Sequence, residues 1–411
     1  MKLNRGVLAV LLASASVAVA APALAQDKPA AAAPERKFNI SSQARKEIVA
    51  LQEAVNANNT AAIPAAIAAA KAKAKTNDDK YVVGQLELKA AVASKNDAAV
   101  AAAIESVLAS GVVDSAQSID LYNNLGSLRS NAKQYDQAAA AYENALKLDA
   151  NNVNAMIMLG EVRNSQGRPA DAVALFQKAI GARVAAGQKP EELWYKRAVA
   201  LAYKAKSPAA VTLSRDWVKA YPTPKNWRDT IVIYQTNSQL EDSALIDSMR
   251  LAHAAGALSG ENDYYRFANA LMLKGYPGEA KAVLEQGFAA KAIDKSKATF
   301  SQMYASATTK SQGDRASLAA SASTAKAGGD AKKVMVIADA YYGYGDYAQA
   351  ADLYRAALGK AGADKDLVNL RLGMALARSG DKAGATAALN AAGGAQAEVA
   401  KLWLTYLSTK A

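Results

Sequence analysis

Residues 121–152 read LYNNLGSLRSNAKQYDQAAAAYENALKLDANN, and the spacing of their large and small side chains decides the fold. Tyr122 is followed by Leu125-Gly126, then by a polar break, then by Tyr135, Ala138, Tyr142 and Ala145. The next stretch repeats the order with Met156, Leu159-Gly160, Pro169, Ala172, Phe176 and Ala179, each displaced by 34 residues, the length of one helix–turn–helix unit. Gly126 and Gly160 remove a side chain where two helices must touch, and the alanines do the same on the opposing helix. A hairpin of this kind covers only part of its apolar surface and needs a neighbour on each side.

Further units start their large residue at Trp194, Trp227, Tyr264, Phe300, Val334 and Asn369, those at Trp194, Trp227 and Phe300 being degenerate. Gly313-Asp314, Gly345-Asp346 and Gly380-Asp381, with Gly167-Arg168 and Gly275-Tyr276, read as the turns inside the hairpins. The chain from about Asp120 to Gly394 thus resembles the tetratricopeptide repeat family. The resemblance implies an all-α, right-handed superhelical solenoid and a non-catalytic scaffold that binds a protein or peptide partner in its concave groove.

If the large residue takes the fourth position of each unit, the family's inner face comes from the second, fifth, ninth and twelfth. The partner-binding residues so implied are Asn123, Ser127, Asn154, Glu161, Asn164, Tyr195, Arg228, Gln235, Tyr265, Asn269, Asp339 and Tyr342. Family members that clamp a terminal carboxylate use lysine with asparagine at the fifth and ninth positions; Asn123 with Ser127 departs from that pair.

The flanks complete the division. Residues 1–25 pair a basic start (Lys2, Arg5) with an apolar run to about Ala21 and an Ala23-Leu24-Ala25 cleavage signal, the pattern of a secretory signal peptide. The expected location is therefore periplasmic. Residues 26–39 read as a flexible linker, 40–117 as degenerate helical hairpins, 118–394 as the repeat solenoid and 395–411 as a C-terminal capping helix. No later stretch is apolar enough to span a bilayer, so the mature chain is not expected to be an integral membrane protein.

Composition narrows the chemistry. Without cysteine there is no disulfide, thiolate metal site or cysteine nucleophile, and His253 is the only histidine. The usual metal-hydrolase and triad arrangements are thereby disfavoured, and no cofactor motif is present; Tyr341–Tyr347, YYGYGDY, holds Gly-x-Gly but follows a helix, so it reads as a hairpin turn. Asp314, Asp346 and Asp381 are expected to cap helix starts. A formal net charge of +12 favours anionic partners, and the export signal argues against nucleic acid.

Residues 193–228 concentrate that charge. Lys196, Arg197, Lys204, Lys206, Arg215, Lys219, Lys225 and Arg228 face a single acid, Asp216, among Trp194, Tyr195, Tyr203, Trp217, Tyr221 and Trp227. One reading puts the aromatics between helices and the cations on a solvated face. The other makes Lys196, Arg197, Lys204, Trp217 and Lys219 a basic-aromatic patch for an anionic glycan such as peptidoglycan or an exported polysaccharide. Within it Tyr221–Pro224 reads as a joint between units, whereas Trp217 stands where better repeats have Ala145, Ala179 and Ala357. So large a residue is expected to push the hairpins apart or turn outward.

Overall fold

The computed structural model describes residues 38–238, 242–328 and 330–410; the signal peptide and most of the linker expected from the sequence lie outside them. The described residues form helices joined by short turns, in two compact units, unit 1 up to Pro190 and unit 2 from Glu191.

Unit 1 contains α1 (Ser42–Asn56), α2 (Ile63–Lys73), α3 (Asn77–Ala93), α4 (Asp97–Ala109), α5 (Ser115–Asn131), α6 (Tyr135–Leu148), α7 (Val153–Ser165) and α8 (Pro169–Ala185). Each odd-numbered helix pairs with its successor, and α1 with α3 and α5 with α7 pack as next-but-one neighbours, as stacked hairpins must. Side-chain caps start most of them: Asp114 accepts from the Gln117 amide, Asn152 from Ala155, and Thr76 with Asp79 forms a reciprocal capping box at α3.

The glycines work as the sequence implies. A β-carbon on Gly126 would lie 2.6 Å from the Tyr142 ring, and one on Gly160 3.2 Å from the Phe176 ring. A recurring ion pair locks successive hairpins: Arg129 on α5 reaches back to Glu105 on α4, and Arg163 on α7 reaches back to Glu143 on α6. The two arginines are 34 residues apart, so the repeat period itself could have revealed them.

Unit 2 contains α9 (Glu192–Lys204), α10 (Ala209–Ala220), α11 (Pro224–Asn237), α12 (Asp242–Ala254), α13 (Gly260–Leu273), α14 (Pro277–Ala289), α15 (Ala298–Gly328), α16 (Ala331–Gly343), α17 (Tyr347–Leu358), α18 (Lys365–Ser379), α19 (Lys382–Ala391) and α20 (Ala397–Thr409). The turn glycines at 167, 275, 345 and 380 all take positive φ, between 75° and 91°, the left-handed conformation that ends one helix and admits the next.

Gly313 does not. It keeps a helical backbone inside α15, a single 31-residue helix, so the hairpin turn expected at Gly313-Asp314 is absent. The surrounding sequence, KSQGDRASLAAS, has no proline to stop the helix, and its alanines favour continuing it. Of the expected caps, Asp381 accepts from the Gly384 amide. Asp346 instead pairs with Arg315, and Asp314, inside α15, accepts from the Tyr344 hydroxyl.

The last helix differs from a cap as well. A cap buries one face, yet in α20 Val399, Ala400, Leu402, Trp403, Thr405, Tyr406 and Leu407 are all buried. At 100° per residue these cover more than half of the helix circumference. The cause is where it lies, packed on α10, α12, α18 and α19 together. Arg215 pairs with Glu398, the Tyr406 hydroxyl donates to the Ala254 carbonyl, and Trp227 meets Tyr406 edge to face.

Candidate functional site

The chemistry of unit 2 gathers around α12, whose sequence runs DSALIDSMRLAHA. Residues 246–252 are all buried, so Asp247, Ser248 and Arg250 lie inside the protein beside Ile246, Met249 and Leu251. Charged groups survive such burial only when paired and hydrogen-bonded.

Arg250 achieves this completely. Its Nε and Nη2 donate to Glu279 at 2.9 and 2.7 Å, its Nη1 donates to Asp247 at 3.0 Å, and the rings of Tyr276 and Tyr342 flank the guanidinium. Asp339 on α16 accepts from Arg371 at 2.6 Å, from the Tyr354 hydroxyl at 2.5 Å and from the Tyr276 hydroxyl at 2.8 Å. Arg371 on α18 also reaches Asp247 at 3.3 Å. Two arginines and three carboxylates thus tie α12, α14, α16 and α18 together. Burial disfavours the Arg250 charge, but Glu279, Asp339 and Asp247 outweigh it and hold the group well above its ordinary pKa.

This cluster overturns part of the expected inner face. Asp339 and Tyr342 are buried in it, because unit 2 brings α12 against α16 and α18 instead of leaving those first helices open. Asp247, Arg250, Glu279 and Arg371 were missed in the sequence. The signal was there in ALIDSMRLA, where charges interrupt an apolar helix without forming a polar side of their own.

Beside the cluster lies a cavity of about 760 Å³ between α12, α14, α15 and the α16–α17 turn, with Arg378 of α18 on its wall. Tyr342, Tyr344 and Tyr347 supply rings to it, and Arg250, Lys281, Arg315 and Arg378 supply cations. His253 lines it too. Burial pushes its pKa down to about 4, helped by Arg378 and opposed by a hydrogen bond with Gln286, so it is neutral at pH 7. Among the described residues no group of three or more His, Cys, Asp or Glu side chains is placed to hold a metal ion.

The rest of the expected partner-binding set is dispersed. Tyr195 is buried against Tyr221, Arg228 pairs with Asp263 at 2.8 Å, and Gln235 donates to Ser248. Tyr265 is exposed and Asn269 half-buried. In unit 1, Ser127 is buried, and its Oγ and the Asn123 Oδ1 are shut from solvent without a hydrogen-bond partner among the described residues. Asn154 is exposed, and Glu161 and Asn164 are half-buried along one side of α7.

The basic-aromatic patch separates into its two components. Trp194, Tyr195, Trp217 and Trp227 are buried, while Lys196, Arg197, Lys204 and Lys219 are exposed. Trp217 corrects one of the two expectations for it, since it does not turn outward. It is only 4% exposed, and its Nε1 donates to Glu192 at 3.1 Å. Glu192 also accepts from Asn226 and pairs with Lys196. The Lys196 hydrogen bond, ahead of those from Asn226 and Trp217, keeps its carboxyl below the usual range despite some desolvation. Among the rings of this segment only Tyr203 is well exposed, at 41%, which leaves almost nothing for a sugar to stack on.

Residues 123–190 and 335–398 match the family model for the tetratricopeptide repeat. Among curated proteins no relative matches. Solved structures with likeness include pilF of Pseudomonas aeruginosa, at 15% identity over 57% of this chain and 93% of that one, with a TM-score of 0.27. A tetratricopeptide repeat protein of Parabacteroides merdae shares 12% identity over 82% of this chain and all of that one, with a TM-score of 0.27. BtubC of P. vanneervenii shares 15% over 59% of this chain and 91% of that one, with a TM-score of 0.28. One matched segment lies in each compact unit, on helices whose small and large residues interlock as the repeat requires, so these two segments carry the tetratricopeptide repeat.

Proposed function

We propose that the protein is a non-catalytic scaffold of the cell envelope, exported by a cleaved signal peptide, that holds a protein partner on the first-helix face of unit 1. The observation that carries this reading is α7. Its Met156, Leu159 and Gly160 face the hairpin interior, while Asn154, Glu161 and Asn164, at i, i+7 and i+10, share a side that keeps polar groups accessible. Polar side chains on a rigid helix suit a partner's backbone and side chains, and repeat stacking presents them at fixed spacing. The likeness in fold supports a binding role only by analogy, since one fold carries many surfaces.

The test has two parts. Sequencing the N-terminus of the exported protein should find a start at Gln26; retention in the cytoplasm with the leader intact would remove the envelope part. Mature protein immobilised in envelope extract should retain a discrete partner, and Asn154→Ala with Asn164→Ala should release it. Equal retention by that variant would exclude the α7 face.

A further inference from the structure

The cavity beside α12 has four cations on its wall, and three are matched. Arg250 has Asp247 and Glu279, Lys281 has Glu285 at 2.7 Å, and Arg315 has Asp346 at 2.7 Å. Arg378, in the last turn of α18, is half-buried with its guanidinium carbon 4.9 Å from the centre of the Tyr347 ring. It also hydrogen-bonds Tyr347, but among the described residues no carboxylate comes within ion-pairing distance of it.

Its neighbours cannot supply the missing charge. Burial, first of all, raises the pKa of the Tyr342 and Tyr347 phenols, so both stay neutral, and His253 is neutral at pH 7. The lining acids are committed: Glu279 accepts from Arg250, and Glu285 accepts from Lys281 and Tyr304. A partly desolvated guanidinium whose neighbours are rings is a strong site for a planar oxyanion, because its fork of N–H donors matches a carboxylate. The volume, about 760 Å³, falls in the range of small-ligand sites.

We propose that this cavity binds a small organic anion, its carboxylate on Arg378 and a flat apolar body against the tyrosine rings. The site is independent of the α7 partner surface and stands whether or not that surface binds a protein. It also differs from a clamp at the fifth and ninth repeat positions, since Arg378 lies in the last turn of a first helix.

Calorimetric titration of the full mature chain tests the proposal, with benzoate as probe, benzamide as its neutral counterpart and inorganic phosphate as an oxyanion without a ring. Benzoate should bind saturably and at least tenfold more tightly than either. Arg378→Gln should weaken it tenfold or more, with helicity checked by circular dichroism. Gln312→Glu, at an exposed residue on the cavity wall, leaves the core untouched and should weaken benzoate severalfold by repulsion. No saturable benzoate binding at millimolar concentration, benzamide or phosphate binding as tightly, or unchanged binding in both variants would overturn the assignment.

Discussion

Removing the carboxylate at Asp339 should unfold unit 2 far more readily while leaving unit 1 alone. Asp339 is 1% exposed and accepts from Arg371, Tyr276 and Tyr354. In Asp339→Ala the two phenol hydroxyls lose their acceptor, and Arg371 keeps only its longer contact with Asp247, at 3.3 Å. Breaking a buried pair from one side costs about 3–5 kcal/mol, because the remaining charge stays desolvated. With a urea dependence of about 3 kcal/mol/M for a unit of this size, the midpoint should fall by about 1–1.7 M. The assay reports the right region, since all four tryptophans, Trp194, Trp217, Trp227 and Trp403, belong to unit 2. Asp339→Asn keeps the shape and an acceptor oxygen, so its loss should be smaller. A tryptophan-monitored shift below about 0.3 M for the alanine variant, worth about 1 kcal/mol, would refute the claim that this cluster holds unit 2 together.

Four further outcomes follow from the packing. His253 has a folded pKa of about 4, below the ordinary 6.5, so the unfolded chain takes up a proton first as pH falls. Its stabilising contribution is complete above pH 6.5 and is lost progressively towards pH 4, by about 3 kcal/mol; in His253→Gln the tryptophan-monitored stability of unit 2 should lack that component of its pH dependence. Gly126→Ala should destabilise unit 1 by about 1–3 kcal/mol in a circular-dichroism melt, as its new methyl meets the buried Tyr142 ring. Gly160→Ala, with 3.2 Å of clearance, should be nearly neutral because the alanine's helix propensity offsets the crowding. Gly313→Ala should stabilise unit 2 by up to about 1 kcal/mol, since the site is helical and open; a destabilised variant would indicate a turn there.

The repeat was legible wherever close contact demands a small residue. Gly126, Gly160 and Gly373 each face a large side chain of the following helix, and such a constraint leaves a periodic trace. The turn at Gly313 was misread because Gly-Asp occurs both in turns and in helices, and neighbouring alanines decide which forms. Tyr195, Asp339 and Tyr342 were placed on an open face because repeat positions describe a hairpin among ideal neighbours. In unit 2 the neighbours are not ideal: α20 and the charged α12 enter contacts separated by more than a hundred residues, as in Asp247 with Arg371. Such pairings carry no local period. Trp217 was anomalous for its position, and only the tertiary structure shows that Glu192 accommodates it.

The scaffold reading is tested most directly by photo-crosslinking in living cells, with the reactive group placed in turn at Asn154, at Asn164 and, as a control on the exposed side of α8, at Lys178. The account predicts that the same envelope protein is captured from Asn154 and Asn164 and not from Lys178. Capture from all three alike, or from Lys178 alone, would contradict it.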